Sequence, residues 1–218
     1  MQMIKNLFQK SARPLLAISL CCGAAASLQG CVEMMVGSAV VGTFAATDRR
    51  TFGAQTEDKS ITLKGEIRMS RTFGDAAHIN VSSFNRRALL TGEVADEQTR
   101  ENAEREMRAI EGVQAVQNEL QIAGLSNYSA RSSDALITTK VKASFVDTKD
   151  LYASAFKVVT EAGTVYLMGR VTQREGNLAG EVARGVSGVR KVVKVFEYIS
   201  ETELKEMQSA PKKQEPAQ

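Results

Sequence analysis

One histidine and three cysteines are all the imidazole and thiol that 218 residues offer for metal binding or nucleophilic chemistry. Cys21 and Cys22 lie within an apolar run from Pro14 to Leu28, and neither follows a small residue. Cys31 differs, because it comes just after that run and directly behind Gly30. Its thiol is the one placed for covalent modification. His78 precedes a predicted strand with no carboxylate cluster beside it in the sequence, so neither metal ligation nor general-base work is expected of it. Asp96 and Glu97 open a predicted helix, where capping and a favourable charge at the dipole's positive end are their expected roles. The chain has no Gly-x-Ser-x-Gly, no His-Glu-x-x-His and no phosphate-cradling glycine loop. Gly92 and Gly169 stand at predicted strand ends, where close helix packing is the expected reason for a glycine. No catalytic residue, no metal ligand and no cofactor is expected. The chemistry that remains is acylation and binding.

The segment before Cys31 explains the modification. Lys5, Lys10 and Arg13 precede the uncharged run, as in the basic and apolar parts of a secretory signal. The run falls short of the ~20 apolar residues that span a bilayer. Leu28-Gln29-Gly30-Cys31 resembles the lipobox of bacterial lipoproteins. That resemblance implies diacylglycerol on the Cys31 sulfur, cleavage of residues 1–30 and acylation of the new amine. Val32 stands where an Asp would resemble an inner-membrane retention signal, so the resemblance implies the outer membrane. Residues 1–30 hold three basic and no acidic side chains, which leaves 25 of each sign in the remainder. The sequence pI near 8.8 is therefore a property of the signal. A globally basic nucleic-acid binder is excluded. Residues 31–58 read as an acylated apolar tether followed by a polar linker from Asp48. Gly37 and Gly42 would also allow close helix approach.

The middle of the chain is a repeat. Leu90-Thr91-Gly92-Glu93-Val94 matches Leu167-Met168-Gly169-Arg170-Val171 at a shift of 77, as Ile79 matches Phe156 and Val81 matches Val158. Gly112-Val113 and Val116 match Gly188-Val189 and Val192 at a shift of 76. The repeats span 59–123 and 132–199, joined by a polar linker at 124–131, and 200–218 reads as a disordered tail with two prolines. Each repeat reads αββαβ, an α+β unit with two helices on one face of a three-stranded sheet. The opening helix presents Leu63 and Ile67 inward in the first copy, and Ile137, Val141 and Phe145 in the second. Gly65 is expected to break the first of these helices.

Asp96 and Thr172 are the expected caps of the next helix. Its inner stripe is Ala103, Met107 and Ile110 in the first repeat, and Ala179, Val182, Ala183 and Val186 in the second. Gly112 and Gly188 are expected to close it at positive φ. The last strand of the first copy alternates Val116, Asn118, Leu120 and Ile122 against Gln117, Glu119 and Gln121. In the second copy the outer face is apolar, with Val193, Val195 and Ile199. This makes the second sheet the more covered one, or else a docking face.

The hydrophobic-Gly-x-Val strand end and the Gly-Val-x-x-Val entering the last strand resemble the BON domain. Two such units behind a lipobox resemble the dual-BON outer-membrane lipoproteins of the YraP/DolP type, over residues 31–199. Lys194 departs by standing where Asn118 does. The resemblance implies a non-enzymatic protein, lipid-anchored on the periplasmic face of the outer membrane. It also implies that the second repeat's opening helix binds anionic phospholipid, phosphatidylglycerol or cardiolipin, in support of envelope integrity.

Charge partition agrees with that implication. Residues 59–123 carry 9 basic and 10 acidic groups, whereas residues 131–199 carry 11 and 7. On the opening helix of the second repeat Asp134 is placed to cap, and Leu136, Thr139, Lys140 and Ala143 share a face with Lys142 near by. A leucine beside lysines suits an anionic headgroup layer, each cation contributing ~1 kcal/mol. The alternative is that Leu136 packs on the first repeat and the lysines are only solvated. Two other readings use the same fold. One is a scaffold docking outer-membrane assembly proteins through Val193, Val195 and Ile199. The other is a periplasmic stress chaperone of the OsmY kind.

Overall fold

The computed structural model describes residues 48–124 and 128–209. The signal segment, Cys31, the tether to residue 47 and the chain after 209 lie outside the described residues. From Asp48 onward the chain forms one compact unit.

The first repeat opens with α1 (Phe52–Phe73), capped by the Thr51 hydroxyl, which accepts the Ala54 N–H at 3.1 Å. Its buried line is Asp58, Ile61, Gly65 and Met69. Leu63 and Ile67, expected to face inward, are 59% and 43% exposed. The periodicity allowed either stripe, and Gly65 decides between them. It is buried where Val81 and Met107 press against the helix, and a Cβ there would lie 2.8 Å from a Val81 methyl. The glycine is thus a contact point and not a break. The helix runs through it.

Strands β1 (His78–Phe84) and β2 (Arg87–Val94) pair antiparallel from His78↔Glu93 to Phe84↔Arg87. Helix α2 (Glu97–Arg108), capped by Asp96, crosses over to β3 (Ala115–Asn118) and β4 (Gln121–Ile122), both parallel to β2. The second repeat follows the same path. It runs through α3 (Tyr128–Asp147), β5 (Phe156–Glu161), β6 (Thr164–Val171), α4 (Gln173–Arg184) and β7 (Lys191–Tyr198), in sheet order β5-β6-β7. A short helix α5 (Glu201–Ser209) ends the described chain.

The expected last strand of the first repeat is divided. Asn118 donates its amide to the Arg100 carbonyl at 2.9 Å and accepts the Leu120 N–H, which turns the chain out of the ladder. Lys194 in the equivalent place reaches Asn177 instead, and β7 runs eight residues unbroken. Leu120 stays buried, while Ile122 is half exposed.

Each hairpin turns on two residues at positive φ: Asn85 and Arg86 (49° and 64°), then Ala162 and Gly163 (46° and 70°). Three of the four are not glycine, so these type I′-like turns carry strain. A buried carboxylate on the opening helix holds each of them. Asp58 accepts the N–H groups of Asn85 and Arg86 at 2.7 and 2.8 Å and the Ser83 hydroxyl at 2.6 Å. Asp134 accepts those of Ala162 and Gly163, both at 2.8 Å. Asp134 is therefore inside α3 as a turn clamp, and not its cap.

Glycine roles also differ from expectation. A Cβ on Gly92, at φ 120°, would sit 1.9 Å from the His78 carbonyl oxygen, and one on Gly169 would sit 2.5 Å from that of Ala155. Both glycines yield space to the neighbouring strand's backbone, not to a helix. Gly112 and Gly188 have φ of 89° and 98° as expected, but they lie in the loops after α2 and α4. There they abut Ile61 and Ile137 of the opening helices.

The helices of each repeat cover one sheet face. One core gathers Ile61, Met69, Val81, Leu90, Met107 and Leu120, and the other gathers Ile137, Val141, Phe145, Leu167, Ala179 and Phe196. A third core lies between the repeats. Phe84 and Leu89 of the first sheet meet Tyr166, Met168 and Val195 of the second, with Val159 and Val193 alongside.

Both presumed linkers are structured. The 48–58 segment holds a strap in which Arg49 grips the fully buried Glu175 with two hydrogen bonds of 2.6 and 2.8 Å and reaches the Arg170 carbonyl at 3.0 Å. Arg50 pairs with Asp48 and Asp58 at 2.7 and 2.8 Å and lies over the Phe84 ring. In the 124–131 segment α3 begins at Tyr128. The presumed disordered tail begins with α5, whose Leu204 is buried and whose Glu203 pairs with Arg170 at 2.8 Å.

Two stability outcomes follow from this packing. Gly92→Ala should cost at least ~2 kcal/mol, because its Cβ meets backbone in a conformation side chains avoid. Gly180→Ala meets only the flexible end of Lys194. It should be neutral or gain up to ~1 kcal/mol of helix propensity. Urea titration of the two variants checks the contrast. The second outcome concerns Glu175. Burial pushes its carboxyl up, but the Arg49 hydrogen bonds and the Thr172 N–H outweigh that and hold it below its ordinary 4.5. Its contribution is therefore complete above pH 4.5 and lost as pH falls through the lowered value. Arg49→Ala strands the buried carboxylate and should cost ~3–5 kcal/mol at neutral pH. Below pH 4.5 the gap to the parent chain should narrow, measured by denaturation across pH.

Candidate functional site

Helix α3 has two unlike faces. Asp134, Ile137, Val141 and Phe145 recur every three or four residues and are buried, which fixes the helix's rotation on its sheet. The opposite row is Leu136, Thr139, Lys140, Ala143 and Val146, all exposed. Leu136 is 64% exposed and Val146 72%. Leu136 is thus not packed on the first repeat. The expected face is brought together as one continuous stripe, and Val146 extends it by a turn.

Thr139 turns its hydroxyl back to the Ala135 carbonyl at 3.0 Å, leaving only its methyl and lone pairs outward. Lys140 and Lys142 are exposed and make no ion pair among the described residues. Beside the stripe, an open groove between α3 and the end of α4 is lined by Lys140, Ala143, Ser144, Asp147, Val182 and Val186. Its rim carries both the lysine and a carboxylate.

The proposed docking face is a different matter. Val195 and Ile199 are each only 8% exposed, and Val193 is half-buried against the seam between the sheets. The face is used inside the chain: the first repeat covers Val193 and Val195, and Ile199 is buried as well.

The seam also carries polar groups that the sequence kept apart. His78 Nδ1 lies 2.9 Å from Glu93 Oε2 across the β1–β2 pair. Asn80 donates to Glu161 Oε2 at 2.7 Å, with its amide nitrogen also 3.3 Å from His78 Nε2. Thr91 donates to the same Glu161 oxygen at 3.4 Å. Glu93 and Glu161 are each 5% exposed. Burial pushes the Glu161 carboxyl up, the Asn80 hydrogen bond opposes this, and the Glu93 charge adds to it. The expectation that His78 lacks a carboxylate cluster is corrected here. The cluster comes from a partner strand and from the other repeat, where no local pattern reveals it.

Asp96 caps α2 as expected, accepting the Thr99 N–H at 2.7 Å. Thr172 caps α4 in a reciprocal box with Glu175. Cys31 lies outside the described residues.

Comparison with known proteins places this geometry. The BON domain family model matches residues 62–124 and 133–200. Outer membrane lipoprotein DolP of Haemophilus influenzae is 36% identical over 189 residues, covering 85% of this chain and 97% of that protein. A 21 kDa hemolysin of Actinobacillus pleuropneumoniae is 32% identical over 154 residues, covering 70% of this chain and 79% of that one. With both repeats matched by the family model and 97% of that lipoprotein covered, the chain belongs to the BON-domain family, as a dual-BON protein of the outer-membrane lipoprotein DolP type.

Proposed function

We propose that the chain is a lipid-anchored protein on the periplasmic face of the outer membrane that binds anionic phospholipid through α3 of its second repeat and thereby supports envelope integrity. The observation that carries this reading is the exposed Leu136–Lys140–Ala143–Val146 stripe on a helix whose other face is fixed in a core. Leu136 and Val146 lie on one face of this helix with Lys140, which makes no ion pair among the described residues. A headgroup layer takes both, since leucine and valine enter the acyl boundary while the ammonium groups meet phosphate. Partial insertion of a residue worth ~1.5–3 kcal/mol when fully buried, plus ~1 kcal/mol per cation, gives a weak contact by itself.

The anchor makes that weakness workable. Acyl chains on Cys31 hold the unit at the bilayer, and the second contact then forms at millimolar effective concentration. The protein is a binder under this reading, with lipid recognised and not transformed. Phosphatidylglycerol and cardiolipin are the expected lipids.

Flotation of residues 47–218 with vesicles tests the lipid site without the anchor. More protein should float with phosphatidylglycerol or cardiolipin vesicles than with zwitterionic ones, and salt should weaken the difference. Leu136→Glu combined with Lys140→Glu should lower the partition coefficient at least about tenfold, a loss of ~1.4 kcal/mol, with unchanged unfolding midpoint. Equal recovery on both vesicle types would reject the lipid claim. The anchor has its own test in the intact mass of protein extracted from membranes. Cleavage before Cys31 plus diacylglycerol and an amide-linked acyl chain is expected, and Cys31→Ala should release the protein from the envelope fraction.

A further inference from the structure

We propose that His78, Glu93 and Glu161 form a site for a zinc-class divalent metal ion that ties the two repeats together across their shared seam. The three side chains each present a ligand atom, and these atoms lie within 4.8 Å of one another. They come from β1, β2 and β5, so the site exists only when the two sheets are packed face to face.

The donor set selects the ion class. An imidazole nitrogen with two carboxylate oxygens suits zinc and its first-row neighbours, whereas magnesium and calcium favour oxygen alone. Zinc bonds of about 2.0–2.2 Å require ligand atoms roughly 3.3 Å apart. His78 Nδ1 and Glu93 Oε2 stand at 2.9 Å already. Glu161 has to swing inward by an ångström or so, which rotation about its side-chain bonds supplies. The ring of His78 is held between two partners, with Nδ1 towards Glu93 and Nε2 towards the Asn80 amide. The Asn80 amide also donates to Glu161 Oε2 at 2.7 Å, so one side chain braces both the imidazole and the Glu161 carboxylate.

Electrostatics gives the ion a reason to stay. Two carboxylates, each 95% removed from solvent, face one imidazole in the seam, an arrangement a divalent cation neutralises. Lys157, also on β5, does not serve them, because its ammonium group donates to the Ser83 carbonyl at 3.2 Å. The His78 side chain keeps 16% of its surface open, leaving a path for the ion and a water at a fourth position.

The test is zinc titration of the untagged mature chain in detergent, by calorimetry and by competition with a chromophoric chelator, with no phospholipid present. This keeps it separate from the lipid reading. One zinc per chain at micromolar or tighter affinity is expected, undisturbed by millimolar magnesium, together with a rise of several degrees in the thermal midpoint. Glu161→Gln and His78→Gln should each weaken zinc at least about tenfold and remove the thermal shift. Their circular dichroism and metal-free midpoints, compared with the parent, establish that they fold. Should either variant unfold, Glu93→Gln takes its place in the comparison. No binding up to 1 mM zinc, or binding that survives Glu161→Gln unchanged, overturns the proposal.

Discussion

A three-stranded sheet with both helices on one side leaves its other side bare, and a unit of about 65 residues that exposes that much apolar surface is marginal as a monomer. In this chain the two bare sides cover each other. Leu89 and Tyr166 are almost wholly removed from water at the seam, between the Phe84 ring and the Val195 methyls. Everything else accommodates that contact. Lys157 and Asn85 reach across to Ser83 and Glu197, so the polar groups at the margin are paired rather than stranded. Arg49 fastens the entering chain to the second repeat through Glu175, while Arg50 fastens it to the first through Asp58. A pair of adjacent arginines thus holds one strap to both repeats.

The seam has a functional consequence by subtraction. Once the sheet faces are spent on each other, the broad surfaces left are the outer sides of the helices. Several exposed apolar residues lie there, Leu63 and Ile67 on α1 and Leu136 and Val146 on α3, while Ile122, Tyr152 and Tyr198 are exposed elsewhere. Both helices carry cations without ion pairs among the described residues, Lys140 and Lys142 on α3 and Lys59 and Arg71 on α1. On α1 two further cations, Lys64 and Arg68, are drawn to Glu111 and Glu106 at 3.7 and 3.4 Å.

How much of this a reader of the sequence obtains depends on whether the signal is local. The repeat, the αββαβ order, both helix caps and the buried stripe of α3 rest on spacings of a few residues, and all of them appear in the fold. The stripe of α1 is hidden in the sequence because Gly65 looks like a breaker when only propensity is weighed. Alignment of the opening helices at a shift of 76 places Asp58, Ile61, Gly65 and Met69 on Asp134, Ile137, Val141 and Phe145. That shift carried both the correct stripe and the paired turn clamps. The His78 cluster had no such signal, because its third member enters through the packing of one repeat on the other. The same limit hid the partner of Val195. Pairwise contact between repeats is a tertiary fact, and periodicity within each is silent about it.

The strap bears on how a weak surface could be sufficient. Sixteen residues lie between Cys31 and Asp48, a span of at most ~60 Å when extended. At Arg49 the chain is fixed to Glu175, at the start of α4, the helix that packs beside α3. A pull on the entering chain would therefore be shared between the second repeat, through Arg49 and Glu175, and the first, through Arg50 and Asp58. Fixing the attachment restricts the orientations the unit samples near a bilayer, and each restriction removes part of the entropy that a second contact would otherwise forfeit. Under the proposed function, a stripe too small to hold a free protein at a membrane would be adequate for one tethered and partly oriented. Arg49 and Glu175 would then act as positioning residues for α3.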